Sequence, residues 1–198
     1  MPTDGVWFWV TAVVPAACWG LFLLVWVSGA IYNRRHGPAT RERNRLSWAA
    51  LALLVIDLVL AVVVPERAWA PVTTYAHRLL GTGAVLLVTA TGFTLWARVA
   101  LGTMWTSAPV IKQDHTLRTT GPYAVTRHPI YTGISGMLVA TACVSGLGKW
   151  LAFVAVALAY LMVKVRAEER MLDETFGEAY RSYRRRVPML VPRPVRAD

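Results

Sequence analysis

Residues 115–133 read HTLRTTGPYAVTRHPIYTG. Two His, two Arg and two Tyr crowd into a segment broken by Gly121–Pro122 and again by Pro129, with apolar runs on both sides. Irregular polar backbone beside a bilayer is costly unless it is buried in protein or lines a cavity. A second polar cluster, residues 164–186, follows the last apolar run. Two such clusters at one membrane face point to a site built at the lipid–water boundary.

The 198-residue chain is 56% hydrophobic and 16% charged, against roughly 25% charged for soluble chains. Its apolar residues gather into long blocks. Residues 6–31 carry no charge, more than the roughly 20 residues needed to cross the hydrocarbon core. Residues 46–64 carry one, Asp57; residues 79–97 carry none; and 130–148 and 150–163 form two further runs separated by Lys149. The pattern predicts an all-α membrane protein of about five spans, the last two paired as a hairpin. The first run lacks a basic segment before Val6 and exceeds the length of a secretory leader, so it reads as a retained helix. Cys18 and Cys143 both fall in apolar runs, where packing is the expected role. No histidine–cysteine spacing supports a metal site.

A net charge of +10 would favour nucleic acid in a soluble chain; its distribution here argues for a membrane. Arg34, Arg35, Arg41, Arg43 and Arg45 fall between the first two runs; Arg98, Lys112, Arg118 and Arg127 between the third and fourth; and nine more Lys or Arg at or beyond Lys164. Only Arg67, Arg78 and Lys149 occupy the alternate connections. The positive-inside rule then places the N-terminus outside and the C-terminus in the cytoplasm, and basic edges also attract anionic lipid.

Residues 1–100 read as a three-span scaffold and 101–198 as the part that carries chemistry. Asp57 is a mid-span carboxylate, either a functional group or a helix–helix hydrogen bond. His36 and His77 read as solvated interface residues. Around Lys112–His115 the pattern allows short extended strands. Pro129 suits the first turn of a helix, which sets His128 just before that helix's positive end. Residues 164–183 read as a charged helix interrupted at Gly177, with Tyr180, Tyr183 and Arg184–Arg186 also suited to the headgroup level. His115, Tyr123, His128 and Tyr131 from one cluster and Lys164, Arg166, Glu168 and Glu169 from the other would suit an amphipathic cofactor with ribose, base and zwitterionic ends.

GPYAVTRHPIYTG (121–133) followed by EERMLDETFGEAYRSYRRRVP (168–188) resembles the integral-membrane methyltransferases typified by isoprenylcysteine carboxyl methyltransferase, with phospholipid N-methyltransferases as relatives. The resemblance runs from about residue 101 to 192. It implies S-adenosyl-L-methionine as cofactor, wrapped by a loop and helix start that correspond to His115, Thr116, Leu117, Arg118, Tyr123, His128, Pro129, Ile130 and Tyr131, with Glu168 as a further contact. It also implies a basic residue facing a lipophilic or prenylated acceptor, with a carboxylate favoured. That position holds Lys164 where the isoprenylcysteine enzymes have Arg, and Lys cannot supply a bidentate fork; Arg166 could substitute. Glu169 could help remove a proton from an amine or thiol acceptor. An upstream Gln of the family has no counterpart among residues 108–111. The competing expectations are a sterol-reductase-like membrane oxidoreductase, which shares an Arg-His-Pro-x-Tyr motif, and a non-catalytic lipid-binding protein.

Overall fold

A computed structural model describes residues 5–36, 52, 55–56, 59, 63–102 and 117–191. Asp57 and most of the expected second span, the expected strand at 110–111, and His115 and Thr116 themselves lie outside these residues; Leu117, the other expected strand position, lies outside any strand. The described chain is helical, and its β pairing is limited to an isolated antiparallel bridge between Thr73 and Leu147.

Helix α1 (Val14–His36) is preceded without a break by a π-helical turn, Trp9–Val13, and by Gly5–Phe8. Next come α2 (His77–Leu101), α3 (Pro129–Val144), α4 (Trp150–Phe176) and α5 (Glu178–Arg186). Gly5–Asn33, α2 and α4 are long and apolar enough to cross a membrane; α3 is apolar but shorter. Two boundaries differ from the sequence reading. The run expected over 130–148 ends as a helix at Val144, because Gly146, Leu147 and Gly148 all take positive φ and turn the chain. The run expected to stop at residue 163 continues as helix to Phe176, since Ala, Glu, Arg, Met and Leu are strong helix formers whatever their charge. At Gly177, φ of 52° ends it, a conformation that costs a residue bearing Cβ.

The most extensive packing joins α2 to α3, with α1 laid against α2 and α4 returning along α3. The backbones of α2 and α3 approach at glycines. A Cβ at Gly133 would lie 2.0 Å from Thr94 Oγ1 and 3.1 Å from Thr94 Cα, and one at Gly83 would lie 2.7 Å from Cys143 Cβ. Without a hydrophobic drive between helices in lipid, such close contact supplies much of the attraction. Cys18, Leu87, Ala90, Met137 and Ala140 form one buried cluster, and Leu138, Ala142 and Val154 a second. Trp19 of α1 touches both and donates its indole N–H to Thr141 at 3.0 Å. Cys18 and Cys143 are free thiols packed among these helices.

The connection over 65–76 folds onto the α3–α4 turn. Thr74 N–H donates to the Gly146 carbonyl at 3.0 Å, and Lys149 pairs with Glu66 at 2.7 Å. His77 stacks on Trp7, centroids 4.4 Å apart. This end of the bundle is thereby tied shut, and the polar clusters lie at the other. Gly133→Leu should force α2 and α3 apart and lower stability by about 1–3 kcal/mol, read as a lower unfolding midpoint in detergent; a midpoint equal to wild type would remove the close crossing as a source of stability.

Candidate functional site

The site begins with a turn. Gly121, φ 63°, opens the short helix Pro122–Val125, and the chain then runs extended through Thr126 into Arg127 and His128 before Pro129 starts α3. An extended segment leaves its backbone groups unsatisfied by neighbours in sequence. The C-terminal residues supply partners: Arg127 N–H donates to the Pro188 carbonyl at 2.9 Å and His128 N–H to Met189 at 3.2 Å. Thr126 Oγ1 donates to the Met189 carbonyl and Thr132 Oγ1 to that of Leu190, each at 2.7 Å. Residues 187–190 therefore act as a strap across the loop.

Arg127 and His128 both converge on Glu169, one turn and a half beyond Lys164 on α4. Arg127 grips the carboxylate with Nε at 2.9 Å from Oε1 and Nη2 at 3.0 Å from Oε2. His128 Nε2 lies 2.8 Å from Oε1, and the Tyr180 hydroxyl of α5 donates to the same oxygen. Arg127 Nη1 also donates to the carbonyls of Val187, at 2.6 Å, and Arg184. A single carboxylate thus joins the loop, α4, α5 and the strap. Burial on its own would raise the Glu169 pKa; the hydrogen bonds from His128, Arg127 and Tyr180 outweigh it and hold the carboxyl at about 2.

His128 is buried with a carboxylate at each ring nitrogen: Glu169 at Nε2 and Glu168 Oε2 at 3.6 Å from Nδ1. Neutral imidazole carries one N–H, whereas the cation presents one to each side. Burial alone lowers the His128 pKa, but the two glutamates together raise it above the usual value. Glu168 also accepts the Tyr131 hydroxyl from the first turn of α3. Its side chain is 23% exposed, against 11% for Glu169 and 4% for His128. Among these three, Glu168 has the access to accept hydrogen bonds from a ligand.

Lys164, one turn before Glu168, sets its ammonium 5.9 Å from the ring centres of Tyr131 and Tyr160. Burial lowers its pKa, against the opposing pull of Glu168. Tyr123 is buried, and its carbonyl accepts the Tyr183 hydroxyl at 2.5 Å. Burial, then the charge of Glu168, pushes the Tyr123 phenol up.

Of the residues singled out from sequence, Tyr123, His128, Tyr131, Lys164, Glu168 and Glu169 come together at this end of the bundle. Pro129 and Ile130 are buried in the α3 start; Leu117 is half-buried and Arg118 exposed in the preceding loop. Arg166 is exposed, two positions and more than half a turn from Lys164 on α4. Sequence reasoning passed over Arg127, Tyr180 and the strap. Tyr180 and Tyr183, suited in sequence to the headgroup level, are instead buried. Their spacing of three, one helical face, was the available signal.

A bundle of long apolar helices with a polar, carboxylate-centred cluster at one end defines an integral membrane protein. Residues 79–179, just over half of the chain, match the family model described as phospholipid methyltransferase. The chain belongs to that family of membrane methyltransferases. It is 30% identical over 164 residues to a methanethiol S-methyltransferase of Pseudomonas deceptionensis, covering 78% of this chain and 61% of the relative. A methanethiol S-methyltransferase 2 of Bradyrhizobium diazoefficiens is 42% identical over 71 residues, 36% of this chain and 27% of its own. A protein-S-isoprenylcysteine O-methyltransferase of Schizosaccharomyces pombe is 35% identical over 81 residues, 40% and 34% of the two chains. The chain therefore spans less than two thirds of each of these relatives.

The shifts fix a pH window. Glu169, held near 2 against an ordinary 4.5, contributes stability in full above about 4.5 that is lost as pH falls toward 2. His128, raised above 6.5, contributes in full below about 6.5 and loses it as pH rises through its folded value. Glu169→Ala should cost about 3–5 kcal/mol, because it leaves Arg127 and His128 buried without their carboxylate. The acid-side loss of stability should flatten in Glu169→Gln. Denaturant unfolding in detergent across pH 3–8 reads both; a cost below about 1 kcal/mol would remove Glu169 as the hub.

Proposed function

We propose that the cleft at Glu168, Tyr131 and Lys164 transfers a methyl group from S-adenosyl-L-methionine to a lipophilic acceptor at the cytoplasmic membrane face. The observation that carries this reading is the division of labour between adjacent glutamates: Glu169 is saturated by protein, while Glu168 keeps an open side. A carboxylate beside aromatic rings fits both the hydroxyls of a ribose and a neighbouring sulfonium. His115, Thr116, Leu117, Arg118, Tyr123, His128, Pro129, Ile130, Tyr131 and Glu168 are the proposed cofactor residues, with His128 acting by orienting Glu168. When bound, the cofactor supplies an electrophilic methyl on a cationic sulfur. The protein's part is to align donor and acceptor and exclude water, which is worth on the order of 7–11 kcal/mol.

Lys164 attracts an anionic nucleophile, a carboxylate or a thiolate. A carboxylate is already ionised at neutral pH and needs no base, which favours it as acceptor; Lys164 rather than Arg166 faces it. The specific support for a thiol is the S-methyltransferase name of the relative matched over 78% of this chain. A thiol acceptor must first lose its proton, and the Lys164 ammonium beside it would favour the thiolate. Glu169, fully engaged, serves to position and not to take a proton.

Isothermal titration of the full chain in detergent should give heat with S-adenosylhomocysteine and none with NADPH; the reverse would restore the reductase reading, and neither would favour a non-catalytic lipid binder. Glu168→Ala should weaken S-adenosylhomocysteine binding at least about tenfold with little change in unfolding midpoint; undiminished affinity would refute the pocket. Membranes incubated with labelled methyl donor then identify the acceptor. Label released by mild base marks a methyl ester; label that resists base marks a thioether or an N-methyl group, which the mass and headgroup of the labelled product tell apart.

A further inference from the structure

Away from the carboxylate cluster, α1 and α2 flank an open groove of about 580 Å³ at the same end of the bundle. Its lining includes Val25, Ser28, Tyr32 and Asn33 from α1, and Arg98 and Val99 from α2. That volume falls within the roughly 300–1,000 Å³ of small-molecule sites. Arg98 is only 5% exposed, so its charge is set inside the helix pair and not on the rim. The guanidinium lies against the backbone of α1 because position 29 has no side chain: a Cβ there would be 2.3 Å from Arg98 Nη2 and 3.0 Å from Cζ. One donor, Nη1, reaches the Gly102 carbonyl at 3.1 Å.

The groove is amphipathic in a definite direction. On α1, Leu21, Val25, Ser28 and Tyr32 share one face at helical spacing, apolar toward the membrane interior and polar toward the helix end. Leu21 is exposed, one turn deeper than Val25. An occupant matching this gradient has an apolar chain lying along Leu21 and Val25 and an anionic group at Arg98. Arg presents a planar fork that suits phosphate, and Arg98 lies in the last turn of α2, the level at which lipid headgroups lie.

We infer that the α1–α2 groove at Arg98 binds the phosphate of an anionic membrane phospholipid, with its acyl chain lying along Leu21 and Val25. The site is separate from the methyl-transfer cleft and does not depend on what that cleft does. The bound lipid clamps α1 to α2 at the end of the bundle where the protein's basic residues are densest.

The test uses the purified full chain in neutral detergent, titrated with phosphatidylglycerol or with phosphatidylcholine of the same acyl chains. Phosphatidylglycerol has no amine to methylate, so binding is not confused with turnover. Native mass spectrometry should show phosphatidylglycerol retained about tenfold better, with a matching rise in unfolding midpoint. Arg98→Gln should abolish the preference, and Gly29→Ala, which displaces the guanidinium without removing it, should do the same; Arg181→Gln, at an exposed ion pair with Asp173, should not. Excess inorganic phosphate should leave the lipid bound. The proposal is overturned if wild type shows no preference, if either folded variant at 98 or 29 keeps it, or if free phosphate displaces the lipid. Should Arg98→Gln not fold, Gly29→Ala and the phosphate competition decide.

Discussion

The carboxylate of Glu169 is the point on which the polar end of this protein depends. Arg127, His128 and Tyr180 reach it from three segments distant in sequence. A buried carboxylate is tolerable only when such partners satisfy it, and removing one side of the arrangement is far more costly than its net contribution to stability. The same convergence aims His128 at Glu168, so the residue that holds the fold together also sets the geometry of its neighbour. Adjacent positions on one helix divide between a carboxylate saturated by protein and one that keeps an open side because their angular offset of about 100° turns only the first toward Arg127 and Tyr180.

The strap extends this logic to the backbone. The loop entering α3 cannot be helical, since the residue before a proline is pushed out of the α region, and its N–H groups need acceptors. Residues 187–190 provide them. The C-terminal segment is consequently part of the site's frame, although it brings no side-chain chemistry to the cleft.

Much of this could be read from the chain alone. The apolar runs announced α1, α2 and α4, and the Pro129 and Gly177 breaks fell where the helices start and stop. His128, Tyr131, Lys164 and Glu168 were singled out because they fall in the two polar clusters that flank the apolar runs and in the motifs that resemble the family's. The end of α3 was not, because hydropathy continues through Gly146–Gly148 and only backbone conformation stops the helix. Nor was the length of α4, whose charged half has the helix propensity of its apolar half. Arg127 looked like one more interfacial cation, and Tyr180 like a headgroup anchor. Their roles arise from partners 42 and 11 residues away, a kind of information that local pattern does not contain.

The brevity of α3 has a consequence for the surrounding bilayer. Its 16 residues rise about 24 Å, some 6 Å less than a typical hydrocarbon core. Such hydrophobic mismatch is relieved by thinning of the adjacent lipid. Acyl chains next to α3 would then be compressed, and headgroups drawn inward toward Tyr131 and Lys164. A water-insoluble molecule dissolved in that leaflet would meet the aqueous boundary at the cleft itself, without having to leave the membrane to reach it.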